Sequence, residues 1–301
     1  MEKTKKAVLA ALFAQIIFGF SFMATKIALG IASPLTVIAN RYMVATIALT
    51  LVMLTGKFRI SLKGKKVSRV LAMSLFQPVL YFIFESYGID MTTSAFSSVM
   101  IALIPVASIF CGMFMLSEKV SILQGLFTVL SVIGVTVVAF QGKAEGTVTV
   151  LGVLLLSGAV ISSTLYNAMS RKISGEFTVF ERTYIQTIVG LISFLILSFA
   201  ENIKSPARVV ESFAKPEYIL ALLYLGVVSS VVAFMLLNFA NTHLPVAKTT
   251  AFSNLTTVVS VLAGAVFLDE TLGIISAIGI IMIITGVWGA QSFGLKKGKK
   301  K

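Results

Sequence analysis

Glu85 stands in the run YFIFESYGID, residues 81–90, among neighbours suited to hydrocarbon. Tyr81 precedes it by four positions, so the two share one face of a helix. A carboxylate with a phenol one turn away can bind a cationic group, or take up and release a proton as its surroundings change between dry and wet. Its structural alternatives are a counter-ion for Arg41 or Lys26, or a side chain that reaches the membrane interface. Arg41, in SPLTVIANRYMVA, offers the complementary chemistry, a guanidinium for an anionic group. Lys26, Arg41 and Glu85 fall at similar levels of their apolar runs, which allows an ion pair or triad among them. Lys26 and Lys248 read as interface residues, Lys26 by snorkelling.

Other residues could complete such a site. Gln77 and Pro78 lie one turn before Tyr81, and a proline there loosens the helix. Tyr81, Phe82, Phe84 and Tyr87 could cradle an organic cation with their ring faces, or serve as packing and lipid-facing groups. Ser98, Tyr166, Asn167, Asn238 and Asn254 are further polar candidates for contact with a small molecule. Each can instead hydrogen-bond from helix to helix. Cys111 reads as a small buried hydrophobe, and His243 as a turn residue.

Composition says what kind of element holds these side chains. The 301 residues are 57% apolar and 12% charged, with a mean hydropathy of +0.98; ordinary soluble domains carry roughly 25% charged residues. This is the composition of an integral membrane protein. A crossing helix needs about 20 mostly apolar residues at about 1.5 Å each. On that basis spans fall at 7–29, 34–55, 70–89, 93–116, 121–141, 149–169, 179–200, 218–240, 246–268 and 273–291. The first run is too long for a signal-peptide core and reads as a retained span.

The net charge of +13 does not indicate nucleic acid, because the basic residues gather in short loops and at the ends. With ten spans, one side collects Lys3, Lys5, Lys6, Lys57, Arg59, Lys63, Lys65, Lys66, Arg69, Lys119, Arg171, Lys172 and the lysines from 296 to 301. The other side holds Lys143, Lys204, Arg208 and Lys215. The positive-inside rule then puts both termini in the cytoplasm of a multi-pass cell-membrane protein.

The two halves echo each other. SAFSSVMIALIPVASIFCGMFMLSEKV, from Ser94, aligns with VAKTTAFSNLTTVVSVLAGAVFLDETL, from Val246, at an offset of 152. Gly112 meets Gly264, Leu116 meets Leu268, Glu118 meets Glu270 and, further on, Gly134 meets Gly286. Earlier in each half the offset is 145, which sets Lys26 over Arg171 and Arg41 over Gln186. Five spans per half is an odd number, so the second copy enters the membrane from the opposite face. Inverted repeats of this kind build a central site that two similar halves can open to either side.

GFSFMATKIAL, SPLTVIANRYMVA and LIPVASIFCGMFMLSEKVSILQGLFTVLSVIGVTVV, with its second-half counterpart, resemble the two EamA repeats of the ten-helix drug/metabolite transporters. Phe18 stands where that family often has Trp, and Thr257 lies opposite Pro105. The resemblance implies an all-α membrane fold with repeats over 1–145, helices one to five, and 146–301, helices six to ten. It also implies secondary active transport, with export the favoured direction, of a small organic metabolite such as an amino acid or organic cation. Expected partners are that small molecule, the lipid bilayer and protons as a candidate coupling ion acting through Glu85.

The alternatives are a membrane-embedded enzyme and a non-transporting membrane subunit. HExxH, GxSxG and GxxxxGK[ST] patterns are all missing from the sequence, so it offers neither a zinc or nucleophile signature nor a phosphate-cradling loop. No catalytic residue, cofactor, metal site or nucleic-acid partner is expected. Uphill work would come from an ion or counter-substrate gradient.

Overall fold

The computed structural model describes residues 2–92, 94–139, 148–203, 212–267 and 273–293. The expected boundary between the halves, at 145/146, falls outside the described residues. Ten helices are long and apolar enough to cross a membrane: α1 (Glu2–Leu29), α2 (Pro34–Leu54), α3 (Val67–Ile89), α4 (Phe96–Leu116), α5 (Ile122–Ala139), α6 (Val150–Lys172), α7 (Val179–Glu201), α8 (Pro216–His243), α9 (Val246–Phe267) and α10 (Ile274–Ser292). Each coincides with an expected span to within a few residues. Helices prevail because hydrocarbon offers no partner for a backbone N–H or C=O, so every such group is satisfied within its own segment.

Local sequence sets where helices begin. Pro34 opens α2 at a position that needs no N–H partner. Thr178 and Glu181 form a capping box at α7: the Thr178 hydroxyl accepts from the Glu181 N–H at 3.2 Å, and the Glu181 carboxylate accepts from the Thr178 N–H at 2.9 Å. Two helices widen into π-type segments, Leu75–Leu80 in α3 and Tyr224–Ala233 in α8. In the first of these Gln77 leaves helical geometry beside Pro78.

Polar contacts sort the connections onto two faces. Lys65, before α3, pairs with Glu181 at the start of α7, and Arg69 pairs with Glu176. Glu118, after α4, pairs with Arg171 at the end of α6. With ten crossings these residues share a face with both termini, here called the terminal face. On the opposite, distal face Ser33 donates to Glu201 at 2.7 Å, and the hydroxyls of Thr36 and Ser198 lie 3.1 Å apart.

The helices of the two halves interleave. α1 lies against α8 and α9, α2 against α7, and α3 and α4 against α6, while α1 and α2 touch little. The most extensive pair is α5 with α10. A Cβ on Gly134 would meet Gly279 and Ile283, and one on Gly286 would meet Phe127 and Ser131, all within 3 Å. The offset of 152 carries Phe127 to Gly279, Ser131 to Ile283 and Gly134 to Gly286, so the contact is reciprocal, position for position. Reciprocity of this kind is the signature of a two-fold relation. The two helices run in opposite directions, so the axis lies in the membrane plane, as inverted copies require.

Backbone contact at these glycines predicts a sharp cost for added bulk. Gly286→Val pushes against Phe127 and Ser131, costs about 1–3 kcal/mol in overpacking, and should lower the thermal unfolding temperature of the purified protein. Gly125→Ala, where a Cβ would meet nothing within 4 Å, should leave it unchanged or slightly raised. Equal effects of the two would contradict the close α5–α10 contact.

Candidate functional site

The α3 helix turns Glu85 inward. Phe84 and Gly88 of this helix press against Gly158 and Leu156 of α6. Phe82 packs on Tyr42 of α2 and Phe194 of α7, with ring centroids 6.5 and 6.4 Å apart. At 3.6 residues per turn, Glu85 points between these two contact faces. Tyr87, two residues on and 47% exposed, lies nearly opposite, towards lipid. Tyr81 donates its hydroxyl to the Glu85 carboxylate at 2.6 Å.

Arg41 approaches from α2 and is 7% exposed. Its Nε donates to the Ser230 hydroxyl at 2.6 Å and its Nη2 to the Ser229 hydroxyl at 2.9 Å. Consecutive residues of an α-helix point about 100° apart; the π-type turn of α8 widens the helix and presents both serines to one guanidinium. Gly226 allows α8 this close, since a Cβ there would meet Val44 and the Arg41 carbonyl. The guanidinium carbon lies 5.4 Å from the centre of the Phe82 ring.

The ion pairs among the described residues join Lys6 to Glu2, Lys65 to Glu181, Arg69 to Glu176 and Arg171 to Glu118. None joins Lys26, Arg41 and Glu85, so the triad that their levels allow does not form. Lys26 is exposed, and Arg41 is satisfied by hydroxyls. The aromatic residues do not form one cage either. Tyr81 bonds Glu85 and meets the Phe82 ring edge-on at 5.4 Å, Phe82 also serves Arg41 and Tyr42, Phe84 packs on α6, and Tyr87 turns away.

A buried polar atom without a partner calls for an explanation, and a molecule bound from outside the protein is one such explanation. Gln77 is 9% exposed and its Oε1 has no hydrogen-bond partner among the described residues; the Tyr42 hydroxyl, fully surrounded, has none among them either. Pro78 and the Tyr42 ring both abut Gly190 of α7, so the two residues that carry these groups lie on neighbouring stretches of helix, with Arg41 and Phe82 beside Tyr42.

Most of the remaining sequence candidates are held by neighbouring helices, and Tyr166 borders this group, bonding Gln186 one turn from the Gly190 that abuts Tyr42. Tyr166 donates its hydroxyl towards Gln186 at 3.0 Å and Asn238 at 3.2 Å. Asn238 also accepts from Ser170 at 2.7 Å and donates to Thr183 at 3.0 Å. Asn167 donates to the Ser163 carbonyl and accepts from Asn241. Asn254 donates to Ser131 at 2.8 Å, joining α9 to α5. These four side chains tie helices together. Ser98 is exposed on α4, and the buried serine of that stretch is Ser97. Lys248 donates to the Gln291 carbonyl at 2.9 Å, and Gln291 donates back to the Lys248 carbonyl, closing α9 on α10.

Arg182 is the functional-looking residue that the sequence reading does not single out. It is fully buried and donates to the Ser170 carbonyl at 2.7 Å, the Asn238 carbonyl at 3.0 Å and the hydroxyls of Ser170 and Thr242. These carbonyls belong to the last turns of α6 and α8, where the helix dipole is negative. A basic residue three places inside an apolar span is the signal; its nearness to the membrane edge makes it look ordinary.

The comparisons bear on what such a bundle is for. The profile of the EamA-like transporter family matches residues 5–140 and again 150–290. The chain belongs to the EamA-like transporter family. It is 32% identical to the Uncharacterized transporter YcxC of Bacillus subtilis (strain 168), over 98% of this chain and 95% of that one. It is 22% identical to the Probable amino-acid metabolite efflux pump of Escherichia coli (strain K12), over 97% of both. A crystal structure of a protein 18% identical matches with a TM-score of 0.77, covering 95% of this chain and 98% of that one. At that identity the match speaks for the fold.

Scaffold and site should respond differently to substitution. Asn238→Leu strands the partners of a buried amide, each at about 1–3 kcal/mol, and should lower the unfolding temperature markedly. Gln77→Leu removes an acceptor that bonds nothing and should barely move it. The opposite order in thermal unfolding would remove Gln77 from the site.

Proposed function

We propose that the protein is a secondary active transporter, working as an exporter, of a small organic metabolite such as an amino acid or organic cation. The cargo passes between the two inverted copies, and proton movement is coupled to it through Glu85. The observation that carries this reading is the opposite charges of Glu85 and Arg41, both turned inward, unpaired with each other and near the orphaned Gln77 and Tyr42 groups. An ionised side chain costs about 2.5–3.5 kcal/mol at mid-span on insertion scales. A site that uses the charge is a reason to keep it there.

In this reading Glu85 meets a cationic group or a proton, Tyr81 positions its carboxylate, and Arg41 meets an anionic group. Gln77 and Tyr42 supply neutral hydrogen bonds. The terminal face is cytoplasmic, as its excess of lysine and arginine favours. The name of the Escherichia coli relative, Probable amino-acid metabolite efflux pump, agrees with both the direction and the class of cargo.

The test is flux in sealed proteoliposomes. Radiolabelled amino acids, polyamines and quaternary amines are screened by counterflow, and the compound that exchanges is then driven by an imposed pH gradient. Glu85→Gln should fold and reach the membrane yet lose pH-driven accumulation entirely, while Tyr81→Phe should weaken it. Full pH-driven transport by Glu85→Gln would remove the acid from coupling. Counterflow of no compound at all, with chemical turnover in detergent instead, would point to an enzyme.

A further inference from the structure

Glu118 and Arg171 meet where the two copies come together on the terminal face. Glu118 follows α4 in the first copy and Arg171 ends α6 in the second; their charged atoms lie 2.5 Å apart. The other carboxylate oxygen accepts from the Val246 N–H at 2.8 Å, at the first turn of α9, where the helix dipole favours a negative charge. Arg171 also donates to the carbonyls of Asn241 and Leu244, which close α8. One carboxylate and one guanidinium therefore tie the α4–α5 turn, the end of α6 and the α8–α9 turn into a single knot.

The knot is built at a cost. Its side chains are only 10% and 16% exposed, although they stand beyond the apolar spans, where exposed ions would be solvated. Ser117 takes a left-handed backbone, φ 52°, unusual for a residue other than glycine, and this turns Glu118 back over the end of α4. Gly112 makes room, since a Cβ there would lie 3.0 Å from the Glu118 carboxylate. Burial pushes the Glu118 carboxyl up from the ordinary carboxylate range, against the pull of Arg171 and of the Val246 and Ala247 N–H groups. Desolvation thus offsets much of the attraction, as suits a contact that must open and close.

The inverted repeat gives the knot a counterpart position. Arg171 aligns with Lys26 at an offset of 145, on the distal face. Arg171 is nearly buried in its ion pair, whereas Lys26 is exposed and belongs to no ion pair among the described residues. Equivalent cations of the two copies are thus fastened on one face and not on the other. Gly112 and Glu118 recur in the sequence as Gly264 and Glu270; Glu270 lies outside the described residues.

We propose that the ion pair of Glu118 with Arg171, seated on the first turn of α9, is the latch that holds the terminal face shut, and that Glu118 is a positioning residue released whenever that face opens. The proposal rests on the reading of the chain as a carrier that opens to either side. It does not depend on cargo, or on Glu85 as the coupling group.

Thiol labelling in nanodiscs tests it without cargo or gradient, so its outcome is separable from that of the flux experiment. In a Cys111→Ser background, Thr250→Cys reports on the terminal end of α9 and Ala28→Cys on the distal end of α1; both positions are buried, at 3% and 0% exposure. Adding Glu118→Gln should raise the rate of labelling at position 250 by a hydrophilic maleimide several-fold, with no rise at position 28. Arg171→Gln should reproduce the shift, and Glu118→Asp, which keeps the charge on a shorter stem, should give a smaller one. Unchanged labelling at position 250 would overturn the latch. So would an equal rise at both positions, which is what loss of a static staple produces through general loosening.

Discussion

Hydrocarbon will not hydrogen-bond, and most polar groups inside this bundle answer to that constraint. Backbone groups answer by helix formation in all ten spans. Polar side chains answer by reaching across helices: Tyr166, Asn238, Ser170 and Thr183 form one connected set between α6, α7 and α8. Arg182 meets the same demand with carbonyls at two helix ends, so a full charge is buried without a carboxylate beside it. Some buried polar atoms still find no partner among the described residues, Thr46, Ser108, Gln124 and Thr164 among them, and the orphaned atoms of Gln77 and Tyr42 are distinguished by where they sit. They lie close to the inward-turned charges of Arg41 and Glu85.

Much of the architecture is legible in the residue order. The ten spans follow from hydropathy, and the constant offset of 152 between the late parts of the two halves anticipates the reciprocal contact of Gly134 and Gly286. Glu85 and Tyr81 could be joined from their spacing alone, and a hydrogen bond joins them. What the residue order lacks is facing. A lipid-exposed side and a packed side are equally apolar, so periodicity does not say that Tyr87 looks outward while Glu85 looks inward.

The same limit explains the candidates that tie helices together. Asn238 finds Tyr166 and Thr183 across 72 and 55 positions of sequence, and no local pattern tells an amide that bonds a neighbouring helix from one that waits for cargo. The Lys26, Arg41 and Glu85 triad fails for a related reason: similar depth does not fix azimuth, and α8 supplies two serines that take the guanidinium first. Arg182 escapes notice because a charge near a membrane edge is unremarkable until its side chain is seen pointing into the bundle.

The interleaving of the copies has one more consequence. Because α1 rests on α8 and α9, and α3 and α4 rest on α6, neither copy possesses an interior of its own. A fragment ending after α5 would insert into a bilayer yet leave Arg41, Gln77 and Glu85 facing lipid or stray chains, with the serines of α8 missing. The pair of copies is therefore an obligate assembly, closer to a covalently joined antiparallel dimer than to two domains in tandem. A severed chain could regain its shape only by complementation between the pieces.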